Sequence, residues 1–129
     1  MANRFRDWFR QAQADLQMAR QAMEGERYEW SCFAAQQAAE KAVKAVHRKL
    51  GFQSRGNSVS ELLEKTPDST DVPARLVEAA KALDKNYVQT RYPNCFDSGA
   101  PADFYTREEA QDAIEKATRI IEFCRDQMD

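Results

Sequence analysis

Between residues 28 and 50 the apolar side chains recur at steps of three and four. Most of them are alanine: Ala34, Ala35, Ala38, Ala39 and Ala42, continued by Val43, Val46 and Leu50. That period is one face of an α-helix, and alanine is the strongest helix former. A stripe of methyl groups lets another helix approach closely. The same period runs through Phe5, Trp8, Phe9, Ala12, Leu16, Ala19 and Met23, with Gly25 as the expected stop. Gly51 is the stop for the alanine helix. A further helix from Pro73 carries Leu76, Val77, Ala80, Leu83 and Tyr87 and reaches about Thr90. The last carries Ala110, Ala113, Ile114, Ala117, Ile121 and Cys124. Ser58 with Glu61, and Thr106 with Glu109, have capping-box spacing. The first box opens a short helix with Val59, Leu62 and Leu63. No segment alternates as a strand does. The expected fold is all-α: an antiparallel up-down bundle of four main helices plus one short helix, with 1–129 as a single domain.

Only 22 of the 129 residues are Leu, Ile, Val or Phe, whereas 20 are Ala. Such a core is thin, and packing completed by a second copy is expected. The 19 basic and 21 acidic residues nearly cancel, which argues against disorder. No run of 18 apolar residues exists, so no membrane span is expected. The opening MANRFRDWFR lacks the apolar stretch of a signal peptide. Cys32, Cys95 and Cys124 form no Cys-x-x-Cys pair, which suits ordinary thiols in a reducing cytoplasm. The one histidine, His47, lies in the basic run AVKAVHRKLG, with no orienting carboxylate beside it. No Glu-x-x-His pair offers a carboxylate-bridged metal centre, and neither a metal nor a cofactor is expected.

Two features remain as site candidates. Lys41, Lys44 and Arg48 share one helix face, where a phosphate-bearing ligand fits, although composition alone favours a solvated face or dimer salt bridges. The stretch RYPNCFDSGAPADFY (91–105) reads as one long loop, a length that is uncommon in a compact domain and often functional. Arg91 presents a planar fork suited to phosphate or carboxylate. Tyr87 and Tyr92 offer flat faces to a base. The same RYP also reads as a structural corner.

The run CFAAQQAAEKAVKAVHRKLG (32–51), the capped SVSELLEKT, then YVQTRYPN (87–94) and DFYTREEAQDAIEKA (103–117) together resemble the HEPN domain. DWFRQAQADLQMARQAM followed by YEWSCF is also similar to it, so the resemblance covers essentially the whole chain. It implies a helical bundle that pairs as a homodimer and binds nucleotide or RNA. Many members are metal-independent ribonucleases, often toxins, and some sit beside a minimal nucleotidyltransferase. Their motif is Arg, four to six residues, then His. The arginine stabilises phosphorane charge and the histidine moves the 2′-hydroxyl proton. Arg91 matches the motif's arginine. Positions 96 to 98 hold Phe96, Asp97 and Ser98 instead of histidine, and the position near Ser58, where the family often has another histidine, lacks one too.

The resulting expectation is a non-catalytic dimeric module in the cytoplasm, paired with a nucleotidyltransferase partner. Its candidate nucleotide- or RNA-binding residues are Arg91, Tyr92, Asn94, Tyr87, Lys41, Lys44 and Arg48. The alternatives are a metal-independent ribonuclease, with His47, Asp97 or Tyr105 as proton carrier, and a protein-docking scaffold. The dimer seam is expected on the apolar residues of the alanine-rich helix and the last helix.

Overall fold

A computed structural model describes residues 4–128. Six α-helices follow in order: α1 (Phe5–Glu24), α2 (Tyr28–Lys49), α3 (Val59–Glu64), α4 (Ala74–Asp84), α5 (Pro101–Phe104) and α6 (Arg107–Asp126). Short 3-10 turns cover Asp68–Thr70 and Pro93–Cys95. The four long helices are the expected ones, and no strand occurs among the described residues.

Cross-helix contacts set the directions. The Ser31 hydroxyl on α2 donates to the Ala19 carbonyl on α1, and Lys41 pairs with Asp15 further along, so the two helices are antiparallel. Lys49 near the end of α2 donates to the Gln127 carbonyl just past α6, so those two run the same way. The alanine stripe works as expected. Ala35, Ala38, Ala39 and Ala42 are fully buried, and α1 and α6 close over α2 through Ala12, Ala19, Ala110 and Ala117. The apolar residues of α2 and α6 expected at a dimer seam are instead covered by this chain itself: Val43, Val46, Ala113, Ile114, Ile120 and Ile121 are buried in its own core.

Four local expectations change. Gly25 has an ordinary φ of −82°, and the left-handed residue ending α1 is Glu26, with φ 63°. Arg27 N–H bonds the Ala22 carbonyl and Glu26 N–H the Met23 carbonyl, the pairing of a Schellman stop with Glu26 at its turn. At α3, the Glu61 N–H reaches the Ser58 hydroxyl, but no reciprocal bond from Glu61 completes the box; instead Asp84 at the end of α4 accepts from the Val59 and Ser60 N–H groups. Helix α4 stops at Asp84 rather than near Thr90. Past Asp84 the backbone goes over to tighter i→i−3 bonds, Asn86 N–H to the Leu83 carbonyl, Tyr87 N–H to the Asp84 carbonyl and Arg91 N–H to the Val88 carbonyl, while the Thr90 hydroxyl donates to the Asn86 carbonyl and Arg91 Nε to the Tyr87 carbonyl. Finally, 91–105 is not one structureless loop. Pro93 and Pro101 each open a turn of helix, and Phe96 stacks on Phe104 at 4.8 Å to close the segment. Gly99 is required there. Its φ is 81°, and a Cβ would come within 3.0 Å of the Phe104 ring.

Candidate nucleic-acid interface

Arg91 ends the turn that follows α4, and its guanidinium is held from several sides. Nε donates to the Tyr87 carbonyl at 2.8 Å. The guanidinium carbon lies 4.4 Å from the centroid of Phe33, 4.7 Å from Tyr87 and 5.2 Å from Tyr92. One nitrogen makes a structural corner, while the two terminal nitrogens have no hydrogen-bond partner among the described residues. Stacking on aromatic faces leaves a guanidinium's edge free to bond a phosphate or carboxylate bidentately.

Tyr87, Arg91 and Tyr92 are thus brought together. Tyr87 is half-buried and tilted against Phe33 at 6.3 Å, so it serves as a wall. Tyr92 is 48% exposed and presents a ring to solvent. Asn94 lies one step further, exposed in the 3-10 turn.

Lys41, Lys44 and Arg48 lie on the same helix as Phe33 and are connected to Arg91 through it. Nearly every other position of α2 is buried. From residue 30 to 48 its uncovered side is Trp30, Phe33, Gln37, Lys41, Lys44 and Arg48, with Ala34 beside them. The lysines are not free cations. Lys41 Nζ sits 2.6 Å from Asp15 and 3.2 Å from the side-chain amide oxygen of Gln37, and Lys44 Nζ sits 3.2 Å from Glu40. Both are half-buried. Arg48 lies 4.5 Å from the centroid of Trp8 on α1, and Lys44 6.0 Å from the same ring. The expected cationic face is therefore largely an ion-paired seam between α1 and α2, with aromatic rings beneath its charges.

The proton-carrier candidates lie elsewhere. His47 is fully buried, and its ring stacks on Phe52 at 4.6 Å. Its Nε2 is 2.8 Å from the Thr66 hydroxyl and its Nδ1 is 2.6 Å from the Ser54 hydroxyl. Thr66 already donates to the Leu62 carbonyl, so Nε2 carries the hydrogen and Nδ1 accepts from Ser54. Burial, opposed by the Leu62 carbonyl and helped by the Lys65 charge, holds the imidazole below its ordinary pKa. Tyr105 is half-buried, and burial with the nearby Cys32, Glu109 and Cys95 pushes its hydroxyl up to about 12. Asp97 is exposed. None of the three touches the Arg91 guanidinium.

Sequence reasoning missed Phe33 and Trp30 as parts of this surface, and Trp8 as the platform under Arg48. A signal existed: 30, 33, 37, 41, 44 and 48 keep helical steps on the side opposite the alanines.

Comparison with known proteins agrees with this architecture. The HEPN domain family model matches residues 5–127. A Thermus thermophilus protein of solved structure, TT1696, is 45% identical with a TM-score of 0.96, covering 98% of this chain and 99% of its own. ST0689, an archaeal HEPN homologue, is 40% identical with a TM-score of 0.84 and full coverage of both chains. A Methanocaldococcus jannaschii protein, MJ1304, whose name marks it as a candidate toxin, is 28% identical in an alignment of 128 residues that covers 92% of this chain and 84% of its own. With the matching helices, the alanine-packed centre and the RYPN corner in place, this chain belongs to the HEPN domain family.

Proposed function

We propose that this protein is a non-catalytic HEPN module that works as a homodimer and holds a nucleotide or RNA at Arg91, docking on a nucleotidyltransferase partner. One observation carries the reading: a guanidinium braced by one carbonyl and three rings, with its terminal nitrogens unpaired and an exposed tyrosine beside them. Arg91 and Lys41 would contact phosphate, and Tyr92 would stack a base. Tyr87 holds the arginine, and Asn94 offers an amide at the rim. Lys44 and Arg48 extend the cationic side. Positions 96 to 98 supply no imidazole, and His47 is locked in the core. The exposed Val88 and Phe104 flank the same segment, and a dimer seam on them would bring both copies' Arg91 near it.

Calorimetric titration with ATP, GTP and a short single-stranded RNA tests this reading. Binding by the wild type that falls at least tenfold in Arg91→Ala is expected. No binding by the wild type at low salt would leave a protein-docking scaffold, with Arg91 only a corner.

A second reading, metal-independent ribonuclease, is favoured by one observation: the candidate-toxin name of the M. jannaschii relative. RNA cleavage that disappears in Arg91→Ala would establish it. Cleavage indifferent to that change would mark a contaminant.

A further inference from the structure

A second cleft opens between α6 and the turn that follows α4. Its volume is about 180 Å³. Drug-sized ligands fill pockets of ~300 Å³ or more, so the occupant of this one is a smaller metabolite. The buried Cys32, Leu83 and Ala113 form its apolar floor. Neither Arg91 nor the three rings around it line the cleft, so it is separate from the proposed nucleotide site.

The two walls carry opposite charge. The turn after α4 supplies Lys85 with the amides of Asn86 and Gln89. Helix α6 supplies Glu109 and Asp112, with Lys116 paired to Asp112. Lys85 lines the same cleft as both carboxylates, yet it makes no ion pair among the described residues. Spare hydrogen-bonding capacity converges here. Glu109 uses one oxygen on the Thr106 N–H and hydroxyl, and Asp112 uses one on Lys116, which leaves a second oxygen on each. The side chains of Asn86 and Gln89 and the Tyr105 hydroxyl have no hydrogen-bond partner among the described residues. Tyr105 keeps its proton at neutral pH, since burial pushes its pKa up to about 12, and so it acts as a donor. A few convergent polar groups around an apolar floor are what a small-molecule site requires.

An anion alone would face Glu109 and Asp112, and a cation alone would face Lys85. A molecule carrying both charges close together satisfies the two walls at once through charge-assisted hydrogen bonds. We infer that this cleft binds a free α-amino acid, its carboxylate on Lys85 and Asn86 and its ammonium on Glu109 and Asp112. The inference goes beyond the Arg91 reading and stands without it.

The test is amide NMR on the isotope-labelled full chain, titrated singly with each common α-amino acid. The side-chain amide signals of Asn86 and Gln89 report on the cleft. At least one amino acid should move them saturably, with a Kd of about 1 mM or below. The decarboxylated amine and the deaminated acid of that amino acid should each bind about tenfold more weakly, because each leaves one wall unpaired. Lys85→Gln should weaken the amino acid about tenfold and should not weaken the amine. Lys85 is exposed and unpaired, so the variant is expected to fold, which circular dichroism checks. The analogue series uses the wild type and decides the question without the variant. If no amino acid moves the Asn86 and Gln89 signals, or if the amine or the acid binds as tightly as the amino acid, the inference is overturned. Shifts confined to Tyr87, Arg91 and Tyr92 would put the ligand at the other site and overturn it too. Loss of both amino acid and amine in Lys85→Gln, or of neither, would contradict the placement of the carboxylate. None of these outcomes decides whether Arg91 binds nucleotide, which the separate titration with ATP, GTP and RNA reads.

Discussion

In the proposed function Arg91 has two tasks that compete for one side chain. Its Nε closes the turn after α4, and its terminal nitrogens face outward beside Tyr92. Arg91→Lys keeps the charge but loses the fork and the stack on Phe33. Calorimetry should show RNA affinity falling about tenfold in Arg91→Lys, nearly as far as in Arg91→Ala; retention of full affinity by the lysine would mean that charge alone matters. His47 makes a different kind of prediction. Its folded-state pKa is lowered by burial, so the unfolded chain binds more protons below the ordinary value of about 6.5. Its stability contribution is complete above that value and is lost as pH falls through it toward the folded value. Urea denaturation should show lower stability at pH 5.5 than at 7.5, and His47→Gln should flatten that difference. Arg91 was legible in the sequence because YVQTRYPN ends a periodic stretch on it. Phe33 was not, since a periodic pattern gives a helix face without saying what comes to rest against it.

At the level of elements, the helices were readable and their junctions were not. The alanine stripe and the Thr106–Glu109 box are local patterns, and both formed as the spacing requires. Asp84 acts across 24 to 26 residues, which no local pattern reveals. Its carboxylate accepts from Val59 N–H at 2.6 Å, the Ser58 hydroxyl at 2.8 Å and the Ser60 hydroxyl at 2.6 Å, fastening α3 to α4. Asp84→Ala strands these donors and should cost about 2–3 kcal/mol in chemical denaturation. A loss below ~0.5 kcal/mol would show that solvent replaces the carboxylate. Glu26 makes the opposite case, a non-glycine residue in the left-handed region at a helix stop. Glu26→Gly should raise stability by about 0.5–1 kcal/mol, measured the same way. The short helix at Pro101–Phe104 escaped the sequence reading because four residues are too few to show a period.

For the whole molecule, the small core is closed by alanine contacts around α2, with Phe9, Tyr28, Tyr105 and Phe123 packed against it and Trp30, Tyr92 and Phe104 left exposed. Among the described residues no helix is long and apolar enough to cross a membrane. The proposed homodimer seam lies on Val88 and Phe104, both exposed around one segment. Light scattering at micromolar concentration should give twice the chain mass, with Val88→Glu shifting it toward the monomer; a monomeric wild type would contradict this. The central claim is that nucleic acid meets the chain where Arg91 joins the exposed side of α2. Ultraviolet crosslinking of a short single-stranded RNA to the full chain, with the attached peptides mapped by mass spectrometry, tests it most directly. The account predicts adducts on the peptides holding Tyr92 and Trp30, reduced in Arg91→Ala. Adducts confined to α3, α4 or the acidic side of α6, or none above an RNA-free control, would contradict it.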